Sequence, residues 1–231
     1  GGAMVMEVAL SVPPGPVKFF SDEWRQLFAF AVAEADRLGL KLCINSAPGW
    51  TGSGGPWITP ELSMKKVTAS ETVATGPSHF DAVLPQPETL CGYYKDIAVL
   101  AFPTPVPGAR IEDIEEKALY KRGPFSSMPG VRPHFEPKAD YPAIPAEQTV
   151  ALAKLVNISA KMDASGHLVW DVPEGNWTIM RFGCTSTGQT NRPAPLPGLE
   201  CDKMDSAALD AHFDAYIRKI VADAGPHAGK S

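Results

Sequence analysis

The chain of 231 residues is 44% hydrophobic and 20% charged, enough to bury a sizeable core and far from the composition of a disordered segment. A net charge of -5, with Lys and Arg scattered, excludes the basic footprint of a nucleic-acid binder or of a protein drawn to an anionic membrane. No apolar run approaches the roughly 20 residues of a membrane helix, and no basic segment with apolar run and cleavage site opens the chain, so a neutral or polar small molecule is the expected ligand.

Met4 to Leu10 reads as a strand, VMEVAL at its centre. After a proline-rich turn, Ser21 is a good N-cap, because Asp22 and Glu23 fall in the first turn, where carboxylates favour the helix dipole. Trp24, Leu27, Phe28, Ala31, Ala35 and Leu38 recur at helical spacing, and Gly39 supplies the left-handed stop. A second strand, Leu40 to Asn45, follows at once. Strand, helix and strand this close together predict a right-handed βαβ unit with parallel strands.

The stretch NSAPGWTGSGGPWITPE, Asn45 to Glu61, comes next, and Thr59 with Pro60 predicts the start of a further helix. From about Lys66 prolines crowd in, and short apolar runs such as Ile97 to Phe102 and Leu155 to Ser159 suit strands of an antiparallel sandwich. In HLVWDVPEGNWTIMRFG, Leu168 to Val172 and Trp177 to Phe182 flank Pro173-Glu174-Gly175-Asn176, the pattern of a hairpin. Arg110 to Pro145 reads as long excursions between strands. The helical period returns from about Ser206 to Ala222, with Asp205 as cap, Leu209, Phe213, Tyr216, Ile217 and Ile220 on one face, and Gly225-Pro226 as the stop.

The order of these elements predicts an α/β plus β fold: a partial (β/α) barrel over 1–75, an inserted β-sandwich-like domain over 76–203, and a return to a barrel helix over 204–231. Both ends read as cuts through a larger α/β protein. Open parallel edges would leave backbone groups unpaired, so self-association into a homo-oligomer is expected.

Parallel α/β folds bind ligands beyond the carboxyl ends of their strands, which is where the Asn45 to Glu61 loop lies. Its glycines, Gly49, Gly52, Gly54 and Gly55, allow positive φ and close approach of a ligand. The spacing is neither a P-loop nor GxGxxG, which argues against phosphate, and Ser53 lacks the context of a nucleophile elbow. Trp50 and Trp57 suit a sugar, whose C–H face packs on an indole while Asn45, Ser46, Thr51, Ser53 and Thr59 read its polar edge. The alternative is that both rings pin the loop to the core. Glu61, in a first helical turn, is a capping carboxylate or a contact to the ligand.

Glu7 interrupts an apolar strand, where a carboxylate must be paired or face a polar cavity, so it is a candidate catalytic acid or a salt-bridge partner. Glu200 and Asp202, in GLECDK, are candidates to hold a cation or sugar hydroxyls, with Glu200 also a candidate for acid-base work. His79, His134, His167, His212 and His227 lack metal spacing and are expected on the surface or in loops. Cys43, Cys91, Cys184 and Cys201 lack CxxC spacing, signal neither zinc nor redox chemistry, and are expected as buried thiols.

PGWTGSGGPWITPELSMKK, the Ser70 to Thr72 triplet, VPEGNWTIMRFG and GLECDKMDSAALDAHFDAYI together resemble the α-L-rhamnosidase-type glycoside hydrolases of family 106. The likeness spans nearly the whole chain, and the glycine-tryptophan loop is its most specific part. It implies a secreted or periplasmic enzyme of plant-polysaccharide breakdown, with a (β/α) barrel interrupted by β-sandwich material, that removes terminal rhamnose with inversion and depends on calcium. The metal's ligands are not assigned. Inversion needs two carboxyl groups roughly 6.5 to 9.5 Å apart, and the family's pair is expected on strands this chain does not match. Two readings follow: a rhamnosidase-like hydrolase that uses Glu7, Glu61 or Glu200, or a module that holds carbohydrate without cleaving it.

Overall fold

The computed structural model of the chain describes residues 1–9, 13, 15–105 and 144–230. Two compact units make it up: Gly1–Ser70, Gln86–Ile97 and Phe182–Ser231 form the first, and Glu71–Pro85 with Ala98–Arg181 the second. Among the described residues no helix is long and apolar enough to cross a membrane.

In the first unit, β1 (Gly2–Val5) and β2 (Lys41–Ile44) pair in parallel, Gly2 opposite Lys41 and Val5 opposite Ile44, joined by α1 (Asp22–Arg37). The expected cap is present: Ser21 Oγ accepts the Trp24 N–H at 3.3 Å. The buried face of α1 is Phe28, Val32 and Ala35, whereas Leu27 and Leu38 are exposed, so the apolar stripe is turned toward Val32. β1 ends earlier than expected, at Val5, and Glu7 lies just past its carboxyl end.

The closing helical stretch is interrupted. α2 (Ser206–His212), capped by Asp205 Oδ1 accepting the Ala207 N–H at 3.0 Å, opens into a π turn at Phe213–Ile217 before α3 (Arg218–Ala224). Tyr216 and Ile220 pack on Phe28 and Val32, and Arg25 clamps Asp223 through two bonds of 2.7 Å. No helix follows Pro60. Thr59 to Ser63 turns tightly instead, because the backbone there pairs with the segment before α2: the Met64 N–H reaches the Glu200 carbonyl and the Asp202 N–H the Leu62 carbonyl, each at 2.9 Å.

The strand-rich part forms a four-stranded sheet, β3 (Lys65–Val83), β6 (His167–Ser186), β4 (Tyr94–Pro103) and β5 (Val156–Asn157) in that order, with β4 and β5 antiparallel. Its core in the second unit includes Leu84, Val99, Ile158, Leu168, Trp170 and Ile179. The expected hairpin at Pro173 to Asn176 is absent, and β6 runs straight through it. The strand passes through with Gly175 at a φ of 104°, and Asn176 is tied to its neighbours: its carbonyl accepts the Thr104 N–H at 2.8 Å, and Thr75 Oγ1 donates to its Oδ1 at 2.9 Å. Apart from Ile144 and Pro145, the expected excursion over 110–145 lies outside the described residues.

The thiols are mostly not buried. Cys201 is in the core, Cys184 is half-buried, and Cys43, on the outward side of β2, and Cys91, in a turn at φ 54°, are exposed.

Candidate functional site

The first unit gathers its unusual polar groups beyond the carboxyl ends of β1 and β2. The Gly49 N–H donates to the Glu7 carbonyl at 2.8 Å, which ties the glycine-tryptophan loop to the segment after β1. The Glu7 side chain is 7% exposed, and neither carboxyl oxygen has a hydrogen-bond partner among the described residues. Burial pushes its pKa above the ordinary carboxylate value, because ionisation there is poorly solvated. Tyr216 is buried too and its hydroxyl has no partner among the described residues; its acidity is suppressed by burial first and by the nearby Glu7 charge second.

His212 locks the loop. Its Nδ1 accepts the Trp57 indole N–H at 3.1 Å, so its proton sits on Nε2, which donates to the Ser46 carbonyl at 2.9 Å. Burial holds the imidazole below its ordinary pKa, in the neutral form this geometry requires. The expectation of a surface or loop histidine is corrected: His212 is 4% exposed on α2. Its position four residues before Tyr216, on the face that packs inward, is the sequence signal that locates it.

The two tryptophans part company. Trp57 stacks on Tyr216, centroids 6.0 Å apart and planes at 14°, and packs into the aromatic core with Phe20. With its N–H spent on His212, it holds the loop down and does not offer a free face beside Trp50. Trp50 is 57% exposed and is the ring of the two that is open to a ligand.

Gly49, Gly52, Gly54 and Gly55 all adopt the expected positive φ, and Gly49 and Gly55 also make room for close packing. At Gly49, φ 92°, a Cβ would stand 1.8 Å from the Asn191 carbonyl oxygen, and at Gly55, φ 145°, it would strike the Trp57 ring at 2.5 Å. Asn191, fully buried and not legible as functional in the sequence, fastens this junction: its Nδ2 donates to the Pro48 and Leu196 carbonyls at 3.0 and 3.1 Å, and its Oδ1 accepts the Gly198 N–H at 2.9 Å.

The other expected site residues differ in burial and in partners. Ser53 is 3% exposed with an Oγ unpartnered among the described residues, and its carbonyl accepts the Thr51 hydroxyl. Asn45 is half-buried, its N–H reaching the Val5 carbonyl at 3.4 Å. Glu61 is exposed; its carboxyl lies below the ordinary range, held by its own backbone N–H and by Thr59, which is the capping reading without the helix. Glu200 is ion-paired to Lys203, and Asp202 to Lys65 at 3.2 Å. Both carboxylates of GLECDK therefore already face lysines. Among the described residues no three His, Cys, Asp or Glu side chains converge as metal ligands.

The family model described as alpha-L-rhamnosidase, glycoside hydrolase family 106, matches residues 3–104 and 105–231. The chain belongs to glycoside hydrolase family 106. It is 41% identical over 229 residues to the "Putative beta-glucuronidase" of Formosa agariphila, a match covering 98% of this chain and 19% of that protein. Its fold is similar to that of the rhamnosidase from Novosphingobium sp. PP1Y, with a TM-score of 0.72 and 22% identity, over 98% of this chain and 34% of that one. The family 106 chain thus spans about a fifth of the sequence relative and about a third of the structural one.

Proposed function

We propose that this chain forms part of the catalytic site of a glycoside hydrolase that removes terminal α-L-rhamnosyl units with inversion, and that Glu7 is its proton-donating carboxyl. The observation that carries this reading is the Glu7 carboxyl, shut away from water beyond the carboxyl end of β1 with no hydrogen-bond partner among the described residues. A carboxyl in such surroundings keeps its proton at a pH where exposed acids have lost theirs, which is the property a general acid needs to protonate a leaving glycosidic oxygen.

Glu200, whose backbone packs against Gly54 of the loop, is the candidate for the ionised partner that activates water. Trp50 offers its exposed ring to the sugar, with Asn45 and Glu61 along the same loop as polar contacts and Trp57 as the ring that holds the loop in place. The parallel β1–α1–β2 unit is read as the opening of a (β/α) barrel, and the strand-rich part as an inserted sandwich-like domain. Family membership supports a secreted or periplasmic location.

One observation favours a second reading, that the chain binds sugar without cleaving it: Glu200 is tied to Lys203 and is not free to activate water. Nitrophenol release from aryl α-L-rhamnosides and aryl β-glucuronides separates the two. Rhamnoside turnover with the inverted anomer as first product by NMR, slowed in Glu7→Gln far more for a poor leaving group than for nitrophenol, is the result expected. No turnover together with tryptophan fluorescence quenching by sugars would establish the binding module.

A further inference from the structure

The glycine-tryptophan loop, α2 and the π turn together line a cleft. Its volume is about 420 Å³, within the range of small-molecule sites, and its lining includes Ser53, Lys203, Leu209, Asp210, His212 and Phe213. Leu209 and Phe213 are each 42% exposed, so their apolar surfaces are open to an occupant. The helix widens into its π turn where Phe213 enters the wall, a distortion that recurs at functional sites. Ser53 has no hydrogen-bond partner for its Oγ among the described residues, so turning about χ1 toward the cleft forfeits no bond within them.

The charges around the cleft select the ligand. Lys203 is paired with Glu200, and Arg218, which lies over the Phe213 ring at 5.3 Å, is paired with Asp214. Asp210 has no ion-pair partner among the described residues, so the surroundings carry one net negative charge and disfavour an anion. A lining that combines the apolar Leu209 and Phe213 with a hydroxyl and a carboxylate suits a pyranose, which has a C–H face and a hydroxyl edge.

We propose that this cleft is a second carbohydrate subsite, taking a neutral pyranose with its C–H face on Leu209 and Phe213 and a hydroxyl on Ser53 Oγ. Its ligand class rests on the carbohydrate reading above; its position does not depend on Glu7 acting in catalysis.

The test is titration of the chain with L-rhamnose and, separately, with D-glucuronate, followed through the NMR signals of the Leu209 methyls and the His212 ring. Rhamnose is expected to shift both saturably, and Ser53→Ala and Phe213→Ala to weaken that binding by about tenfold or more, the effect of losing one good contact. Ser53→Ala removes no hydrogen bond among the described residues, so circular dichroism should confirm an unchanged fold; Glu7→Gln should leave the titration in place. The proposal is overturned if rhamnose moves neither signal, if both cleft variants bind as the parent does, or if glucuronate binds as tightly as rhamnose. Turnover of aryl rhamnosides without cleft binding would overturn the subsite alone, and cleft binding without turnover the hydrolase reading alone.

Discussion

The Trp57 indole N–H and the His212 imidazole are joined by a 3.1 Å hydrogen bond that requires His212 to be neutral, and the same ring holds the Ser46 carbonyl from its other nitrogen. One side chain thus fastens both ends of the glycine-rich loop to α2. Burial lowers the His212 pKa from its ordinary 6.5, so between that lowered value and 6.5 the unfolded chain takes up a proton that the folded chain refuses. Stability should therefore fall as pH drops below about 6.5, and His212→Gln should flatten that part of the profile. Urea unfolding across the acid range checks it, and an unchanged slope in the variant would mean other groups carry the dependence.

Glu7 has the opposite sign. Its pKa is raised above 4.5, so between 4.5 and that raised value the folded chain keeps a proton that the unfolded chain has released. Its contribution is intact below 4.5 and is lost as pH rises through the folded pKa. Glu7→Gln should then stabilise the chain at neutral pH by about 1 to 3 kcal/mol, the cost of a buried charge without partners, while leaving stability near pH 4 unchanged. Thermal unfolding at the two pH values gives the answer. Destabilisation at neutral pH would mean that the carboxylate has a stabilising partner.

The junction at Asn191 should be brittle. Gly49→Ala forces a Cβ against the Asn191 carbonyl oxygen at a φ of 92°, and a loss of about 2 to 4 kcal/mol is expected. Asn191→Ala, which strands the Pro48 and Leu196 carbonyls and the Gly198 N–H, should cost a similar amount. Gly52→Ala, with only Ser46 Oγ at 3.7 Å from the added carbon, meets strain from φ 71° but no clash, so it should be the mildest of the three. Denaturant midpoints rank them.

Leu27 and Phe30 stand 52% and 67% exposed one helical turn apart on α1, and Met4 of β1 is 65% exposed. Apolar groups of this size left open favour self-association. Sedimentation velocity should show a concentration-dependent shift that Phe30→Glu reduces, and a single monomeric boundary at every concentration would refute it.

How much of this was legible depended on how local the cause is. The α1 cap and the parallel strands around it follow from Ser21, the acidic first turn and Gly39, all neighbours in sequence. Glu7 stood out because a carboxylate in an apolar run has few ways to be stable. Pro173 to Asn176 have turn chemistry, while the strand that replaces the hairpin has Asn176 bonded to Thr75 and Thr104, distant in the chain. Asn191 and His212 were hidden for the same reason: what each does is set by partners 143 and 155 residues away. For Trp57 the sequence leaves open a sugar platform or a pin for the loop, because it cannot show that the indole N–H is engaged by His212.

The central claim is that Glu7 delivers the proton. The most direct measurement is kcat/KM for an aryl α-L-rhamnoside against pH, in the parent and in Glu7→Gln. The parent should lose activity as pH rises through a pKa above the ordinary carboxylate range, and the variant should fall by about 10²- to 10⁴-fold for a substrate with a poor leaving group. A variant that hydrolyses that substrate at the parental rate, with the same alkaline limb, would contradict the assignment.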